Sequence, residues 1–337
     1  MNKKEDYSVD IVIPWVDGND FAWREEKKKY QGEVTSFVHQ FDYQEWGTLK
    51  YWFRGIETNA PWVRYIYFVT WGHIPSWLNT NHPKLKIIRH EDYLPEKYRP
   101  TFSANPIEIN FHRIPGLAEH FIYFNDDMFL LKHTEKSDFF YNGLPCESAI
   151  INPVAPANNN CIAHMQLTNA AVINQHFSKH NVIIKHPFKW FNLKYGKLLP
   201  LNFLFIPWKR FPGILEKHLP ASFLKSTFEE IWEKEYNLMD ATSCHRFRNF
   251  KLDVNQWLIK EWQLASGKFH PRSTNIGKLL AIKDEETAQK AADTIKKRKV
   301  KMICVNDHLE SGNVSSIIQM VNNAFEEIYP EKSEFEI

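Results

Sequence analysis

Apolar residues fill Val9 to Val16, with Pro14 as a break, and the polar loop Asp17-Gly18-Asn19-Asp20 follows at once. Phe21 to Tyr30 then has the pattern of a helix with a charged outer face. Strand, acidic glycine-containing loop and helix together make the opening unit of a nucleotide-binding α/β domain. Leu49, Trp52, Phe53 and Ile56 recur at helical spacing, which predicts a helix over Asp42 to Asn59 with Lys50 and Arg54 on its polar side. Arg64 to Thr70 alternates as a strand does, and Leu85 to Arg89 is a further expected strand.

The next stretch, Thr101 to Leu131, begins as a helix and ends as a strand. Ile107, Phe111, Ile114 and Leu117 form a helical stripe, and Glu108 and His112 share a flank of it with Arg113 beside them. His120 to Phe124 reads as a buried strand that runs straight into Asn125, Asp126 and Asp127. Tyr141 to Asn160, rich in Asn and Pro, reads as loop. Helices are expected over 165–177, 222–236, 253–266 (with Gly267 as its stop), 285–298 and 315–328. A late strand, Val300 to Val305, ends in Asn306-Asp307. Lys296 to Lys299 reads as ordinary cationic company for a helix C-terminus. Strands separated by helices predict an α/β fold: a mostly parallel central sheet with flanking helices, Rossmann-like or GT-A-like, under a helical, loop-rich cap. The expected division is a core over 1–135, a cap over 136–270, and a segment over 271–337 that returns a strand and a helix to the core.

Composition narrows the function classes. A chain of 337 residues, 43% hydrophobic and 24% charged, is a globular protein of one large domain or two. A net charge of +2 argues against a nucleic-acid partner held by bulk charge. No stretch approaches the roughly 18 apolar residues of a membrane span, and the charged N-terminus has no apolar core, so no signal peptide is expected. Cys146, Cys161, Cys244 and Cys304 are scattered, as in reduced cytosolic proteins. The cytoplasm is therefore the expected compartment, with the inner face of the cell membrane as a second possibility. That possibility comes from Lys185 to Gly213, which carries six Lys/Arg and no acid, interleaved with aromatics. Such a stretch suits an anionic lipid surface; it also suits a buried hairpin with solvated lysines.

Candidate chemistry gathers at strand ends. Two adjacent carboxylates after an apolar strand are costly to desolvate unless a cation joins them. Asp17/Asn19/Asp20, Asn125/Asp126/Asp127 and Asn306/Asp307 would face one crevice if their strands shared a parallel sheet. Hard oxygen donors of this sort suit Mg²⁺ or Mn²⁺ holding substrate phosphates; the same residues also make simple polar turns. His112, His186, His245, Arg113 and Arg248 are candidate acid/base or phosphate-binding groups. Each has a plain alternative as a hydrogen-bonded structural residue, and for Arg248 the alternative is an ion pair with Asp253. No Walker A, GxGxxG, HExxH or GxSxG sequence is present.

At this point the motifs resemble a known family, the Stealth proteins, which are capsular polysaccharide phosphotransferases. Ile11 to Asp20 (IVIPWVDGND) resembles the family's first region, and Thr101 to Phe129 is similar to its second. His186-Pro187 resembles a His-Met-Pro-like step of the third, with Phe188 where the family pattern differs. Arg248 to Leu258 resembles the Arg-containing stretch before a helix, and Cys304-Val-Asn306-Asp307 the fourth region. Asn105-Pro106 stands where many bacterial members carry His-Ala. The resemblance implies transfer of a sugar 1-phosphate from a nucleotide sugar to a glycan or lipid-linked glycan acceptor, with a nucleoside monophosphate leaving. It further implies catalytic roles for Asp127, His186, Arg248 and Arg113. Donor binding would fall to Asp17, Gly18, Asn19, Asp20, Glu108, His112 and Asn125. Asp126, Asp127 and Asp307 would hold Mg²⁺ (or Mn²⁺). Self-association into a homo-oligomer is left open. Two rivals remain: a metal-dependent glycosyltransferase that releases UDP, and a non-catalytic sugar-binding subunit of a capsule assembly complex.

Overall fold

The computed structural model describes residues 7–31, 46–309 and 311–337. The expected helix residues 42–45 lie outside the described residues. In chain order the strands are β1 (Val9–Trp15), β2 (Ile66–Thr70), β3 (Leu85–Arg89), β4 (His120–Tyr123), β5 (Met128–Leu130), β6 (Phe140–Tyr141), β7 (Leu144–Glu147), β8 (Ala221–Leu224), β9 (His270–Pro271), β10 (Gly277–Ile282) and β11 (Met302–Asp307). The helices are α1 (Phe21–Gln31), α2 (Leu49–Asn59), α3 (His90–Tyr93), α4 (Ala104–Glu108), α5 (Ala163–His176), α6 (Lys179–Lys185), α7 (Pro187–Trp190), α8 (Leu199–Leu204), α9 (Lys225–Lys234), α10 (Tyr236–Cys244), α11 (Gln256–Ala265), α12 (Glu285–Lys297) and α13 (Val314–Ile328).

The central sheet has the order β3-β2-β1-β4-β8, parallel throughout except for antiparallel β8 at one edge. Its strands alternate between two cores, as the strand period of two requires. Ile11, Ile13, Ile66, Phe68, Ile122 and Phe124 face one core, built largely on α2, α12 and α13. Val12, Tyr67, Val69, Phe121, Tyr123 and Phe223 face the other, built on α9 and α11. Helices thus cover both faces, and the mostly parallel α/β class stands.

Several elements differ from the sequence pattern. β1 continues through Pro14, which pairs with Val69; the pairing with β4 ends at Val12, so the missing N–H removes no bond there. Arg54 is not on a solvent face. It is 6% exposed and forks onto Glu336, with Nε and Nη2 at 2.8 and 2.9 Å, while Nη1 reaches the Tyr329 carbonyl at 2.7 Å. The stripe over 101–117 is not one helix. α4 stops at Glu108 and a short 3-10 turn covers Phe111–Arg113. Asn110 sits between them, its side-chain amide donating to the Pro106 carbonyl at 2.8 Å and to Ser243 Oγ at 2.9 Å. Part of the expected loop over 141–160 is the strand β7, and the first residues of the expected helix over 222–236 are the strand β8.

The late strand β11 does not join the central sheet. It lies between β10 and β5 in a separate three-stranded sheet, parallel to β10 and antiparallel to β5. Because β5 begins one residue after Asp127, that pairing still carries the end of β11 to the carboxyl end of β4. Lys185 to Gly213 forms no hairpin. It folds as α7, a 3-10 segment over Leu193–Leu198, and α8. No helix among the described residues is long and apolar enough to cross a membrane.

Candidate active site

The turn after β4 projects Asn125, Asp126 and Asp127 beyond the carboxyl end of the sheet. Asp127 is pinned from two sides. The Val305 amide donates to its main-chain carbonyl at 2.7 Å. Its carboxylate Oδ2 accepts from Cys304 Sγ at 3.1 Å and Asn306 Nδ2 at 3.3 Å. His218 completes the group, with Nε2 at 3.6 Å from Asp127 Oδ2 and both side chains 24% exposed, so a substrate can reach the pair. Asp127 Oδ1 is buried with no hydrogen-bond partner among the described residues.

The charges around this pair are set by burial and by each other. Burial raises the Asp127 carboxyl, but hydrogen bonds from His218, Cys304 and Asn306 outweigh it and hold the group below the ordinary carboxylate range. Burial likewise lowers His218, but the carboxylates of Asp127, Glu216 and Glu108 overcome that and hold the imidazole above its usual value. Cys304 is pushed far up by burial and by Asp127, so it is a neutral thiol donor. His218 also has a φ of 49°. That left-handed backbone is uncommon outside glycine and tends to mark functional positions.

Glu108, at the end of α4, is 4% exposed and accepts from the Tyr123 hydroxyl at 2.5 Å; the same phenol contacts Asn125. Burial pushes the Glu108 carboxyl up to about 7, against the Tyr123 hydrogen bond and the positive charges of Arg248 and His218. The charge of Arg248 therefore reaches Glu108. Arg248 stands in a cleft of about 580 Å³ whose lining includes Tyr30, Arg246, Phe247, Phe250 and Lys251. Asp253, fully buried, braces the loop that carries it. His245 Nδ1 lies 2.5 Å from Asp253, the Asn105 amide donates to it at 2.9 Å, and the Asn249 N–H at 2.8 Å. The Asp253 carboxylate is thus engaged by neighbours other than Arg248.

Other sequence candidates fall outside this group. His186 packs against Gly267, whose φ is 75° and where a Cβ would collide with the imidazole. That is the C-terminal end of α11, whereas His218 stands edge-on to Trp257 at its N-terminal end, with ring centroids 6.4 Å apart. His112 turns away from Glu108 because the helix breaks at Asn110. Its ring lies 6.1 Å from that of Phe228 and 5.8 Å from that of Trp232, and burial, Arg113 and Lys225 push it down to about 3. Arg113 donates to Asn110 at 2.8 Å and covers the Trp232 ring at 4.6 Å.

Asp307 accepts from the Leu309 amide at 3.0 Å and from Trp46 Nε1 at 3.3 Å, away from the Asp127 carboxylate group. Asp126 is exposed. In the loop after β1, Asp17 accepts from the Asn19 amide at 2.8 Å, and Asp20 caps α1 by accepting from the Trp23 amide at 2.7 Å. Gly18 is part of that turn. These residues follow β1, the neighbour of β4 in the sheet, so the loop lies along the same sheet edge as Asn125.

The expected three-cluster carboxylate cage is therefore not assembled. Among the described residues the group able to offer three ligand atoms is Asp127, His218 and Cys304. A nitrogen and a sulfur donor suit Zn²⁺ rather than Mg²⁺, and the neutral Cys304 thiol is here a hydrogen-bond donor. Mg²⁺ is commonly held by one or two carboxylates together with substrate phosphates. The unpartnered Asp127 Oδ1, with Asp126 beside it, fits that looser mode.

His218 was missed in the sequence, although its signal was present. His218-Leu219-Pro220 fits a His-Met-Pro-like step better than His186-Pro187-Phe188 does.

Comparison with known proteins agrees with the first two of the motif regions and their order. Residues 7–35 match the model "Stealth protein CR1, conserved region 1", and residues 42–146 match "Stealth protein CR2, conserved region 2". The chain is 41% identical over 331 residues to the capsular polysaccharide phosphotransferase WcwK of Streptococcus pneumoniae, covering 97% of this chain and 98% of that one. It is 39% identical over 335 residues to the receptor polysaccharide phosphotransferase WefC of Streptococcus gordonii, with 98% and 99% covered. To the exopolysaccharide phosphotransferase cps2G of Lactiplantibacillus plantarum it is 38% identical over 332 residues, with 98% and 96% covered.

Proposed function

The chain belongs to the Stealth family of capsular and exopolysaccharide phosphotransferases, and from that premise we propose that it transfers a sugar 1-phosphate from a nucleotide sugar to a glycan hydroxyl. The observation that carries this is the Asp127–His218 contact of 3.6 Å, with buried Glu108 close enough to feel the charges of both His218 and Arg248. An acceptor oxygen attacks the phosphorus that bears the sugar. The bond from that phosphorus to the bridging oxygen breaks, and a nucleoside monophosphate leaves. With His218 Nε2 turned to Asp127 and no partner for Nδ1 among the described residues, Nδ1 would take the acceptor's proton, while Asp127 holds the ring and stabilises the imidazolium that results.

Arg248 would hold oxygens of the donor's diphosphate, and Arg246 and Lys251 would add positive charge in the same cleft. Tyr30 and Phe247 offer aromatic faces for the nucleoside base. The Asp17–Asp20 turn would border the donor from the next strand. Magnesium or manganese, arriving with the phosphates at Asp127 and Asp126, would offset the diphosphate charge. Phosphoryl transfer needs little covalent help from a protein, so positioning and charge are the main contributions asked of these residues.

Incubation with a panel of nucleotide sugars, Mg²⁺ and a glycan acceptor tests the proposal, with the released nucleotide identified by mass. A nucleoside monophosphate is expected. Release of UDP would mean glycosyl transfer instead, and donor binding without turnover would mean a sugar-binding subunit.

A further inference from the structure

The segment over 179–210 builds a surface of different character from the Asp127 group. Its inner sides are fixed. Trp190 and Tyr195 are fully buried, and the buried Asn202 amide donates to the Ala149 carbonyl at 2.7 Å and to the Trp190 carbonyl at 2.5 Å. The ammonium of Lys179, itself 2% exposed, binds the carbonyls of Phe205, Ile206 and Trp208 and so holds the turn after α8 in shape. The outer sides are apolar and bare. Phe188 is 84% exposed and Leu193 87%, and Ile184, Leu204, Ile206 and Trp208 are all more than half exposed. Six large apolar side chains on one short, internally braced segment are not scattered surface residues.

Charge distinguishes this surface further. From Ser148 to Leu215 the chain contains no Asp or Glu. Lys185, Lys197, Lys209 and Arg210 are exposed, and among the described residues none of them forms an ion pair. Bare apolar side chains on a segment that carries exposed, unpaired cations and no carboxylate match one occupant best, a bilayer with anionic headgroups. Its acyl region takes the apolar groups, and its surface potential attracts the cations. A second copy of this chain fits poorly, because a two-fold contact would set these cations against themselves with no carboxylate to meet them.

We propose that α6, α7, α8 and the turn through Trp208 form a docking surface for anionic lipid bilayers. The docking is peripheral, and it stands whether or not the transfer chemistry above is right.

The test is co-sedimentation of the full chain with phosphatidylcholine vesicles, with and without roughly one-third phosphatidylglycerol, at low and high salt. Binding is expected only to the anionic vesicles, weakened by salt. The pair Lys209→Glu and Arg210→Glu should lower the vesicle affinity by about tenfold or more. Phe188→Ser with Leu193→Ser should lower it similarly without the salt dependence changing. Circular dichroism and the melting temperature keep misfolding apart from lost binding, since these side chains are exposed. Absence of binding to the anionic vesicles, equal binding to neutral vesicles, or unaltered binding by the folded variants would overturn the proposal. So would a dimer that the same variants dissolve in the absence of any vesicle binding.

Discussion

Asp127 Oδ2 faces His218 Nε2 at 3.6 Å, although one residue follows a central strand and the other lies in the approach to the edge strand β8. The contact gives His218 an orientation and a counter-charge, which are the two things a general base needs. His218→Ala should therefore lower kcat by roughly 10²–10⁴-fold while leaving KM for the donor nearly unchanged. His186→Ala should stay within a few-fold of the parent enzyme, since that imidazole packs at the other end of α11. The release of nucleotide, followed by mass or by a coupled assay, separates the two. A large loss in the His186 variant together with a mild one in the His218 variant would sink the assignment.

The pH profile should carry the signature of the same pair. His218 is held above its usual value by Asp127, Glu216 and Glu108 against the effect of burial. A base works only when unprotonated, so kcat should rise with pH through a limb lying above the ordinary histidine range. Asp127→Asn removes the largest charge that favours the imidazolium. In that variant the residual limb should move to lower pH, even as the rate falls. A limb that stays in place would mean that another group titrates.

Glu108 makes a prediction about stability. Its carboxyl is pushed up to about 7 in the fold, mainly by burial, whereas in the unfolded chain it titrates near its ordinary value. Between those values the unfolded chain has released a proton that the folded chain still holds, so stability falls as pH rises from about 4.5 to about 7. Glu108→Gln deletes this titration. The variant should gain on the parent by up to about 3 kcal/mol above pH 7 and gain little near pH 4.5. Activity should drop in the same variant, because the charge facing Arg248 and His218 is lost. Melting curves across pH decide it; a difference independent of pH would show that Glu108 is ionised alike in both states.

Much of the fold was legible in the chain. Alternation in 64–70 and 120–124 marked strands because both faces of the central sheet are buried against different cores. β8 was hidden because its four residues are all buried and run directly into α9, so neither alternation nor a turn separates them from a helix. The membership of β11 was hidden for a different reason. Its apolar run is that of any buried strand, and pairing with β5 rather than with the central sheet is a long-range choice that no local pattern states. At the site, Glu108, Asn125, Asp127 and Arg248 stood in recognisable stretches. His218 is one of fifteen histidines, in a loop whose backbone conformation no periodicity announces. His112 misled because the helical spacing that paired it with Glu108 ends at Asn110.

The C-terminal segment is tied to α2 by a fork that can be tested alone. Arg54 Nε and Nη2 bind the two oxygens of Glu336, and the two side chains are 7% and 5% exposed. A buried pair of this kind can be replaced by apolar side chains with little loss of stability, whereas breaking one half strands a charge. Glu336→Ala leaves the guanidinium with the Tyr329 carbonyl and the half-exposed Glu326 carboxylate, and should cost about 3 kcal/mol or more. The paired change Arg54→Met with Glu336→Leu should recover most of that loss, since neither charge is then left buried. Denaturant midpoints of the parent, Arg54→Met, Glu336→Leu and the double variant form a closed cycle. A coupling energy near zero would mean that the segment is held by its apolar contacts, chiefly Phe335 against Phe53 at 5.2 Å between ring centroids, with the ion pair only riding on them.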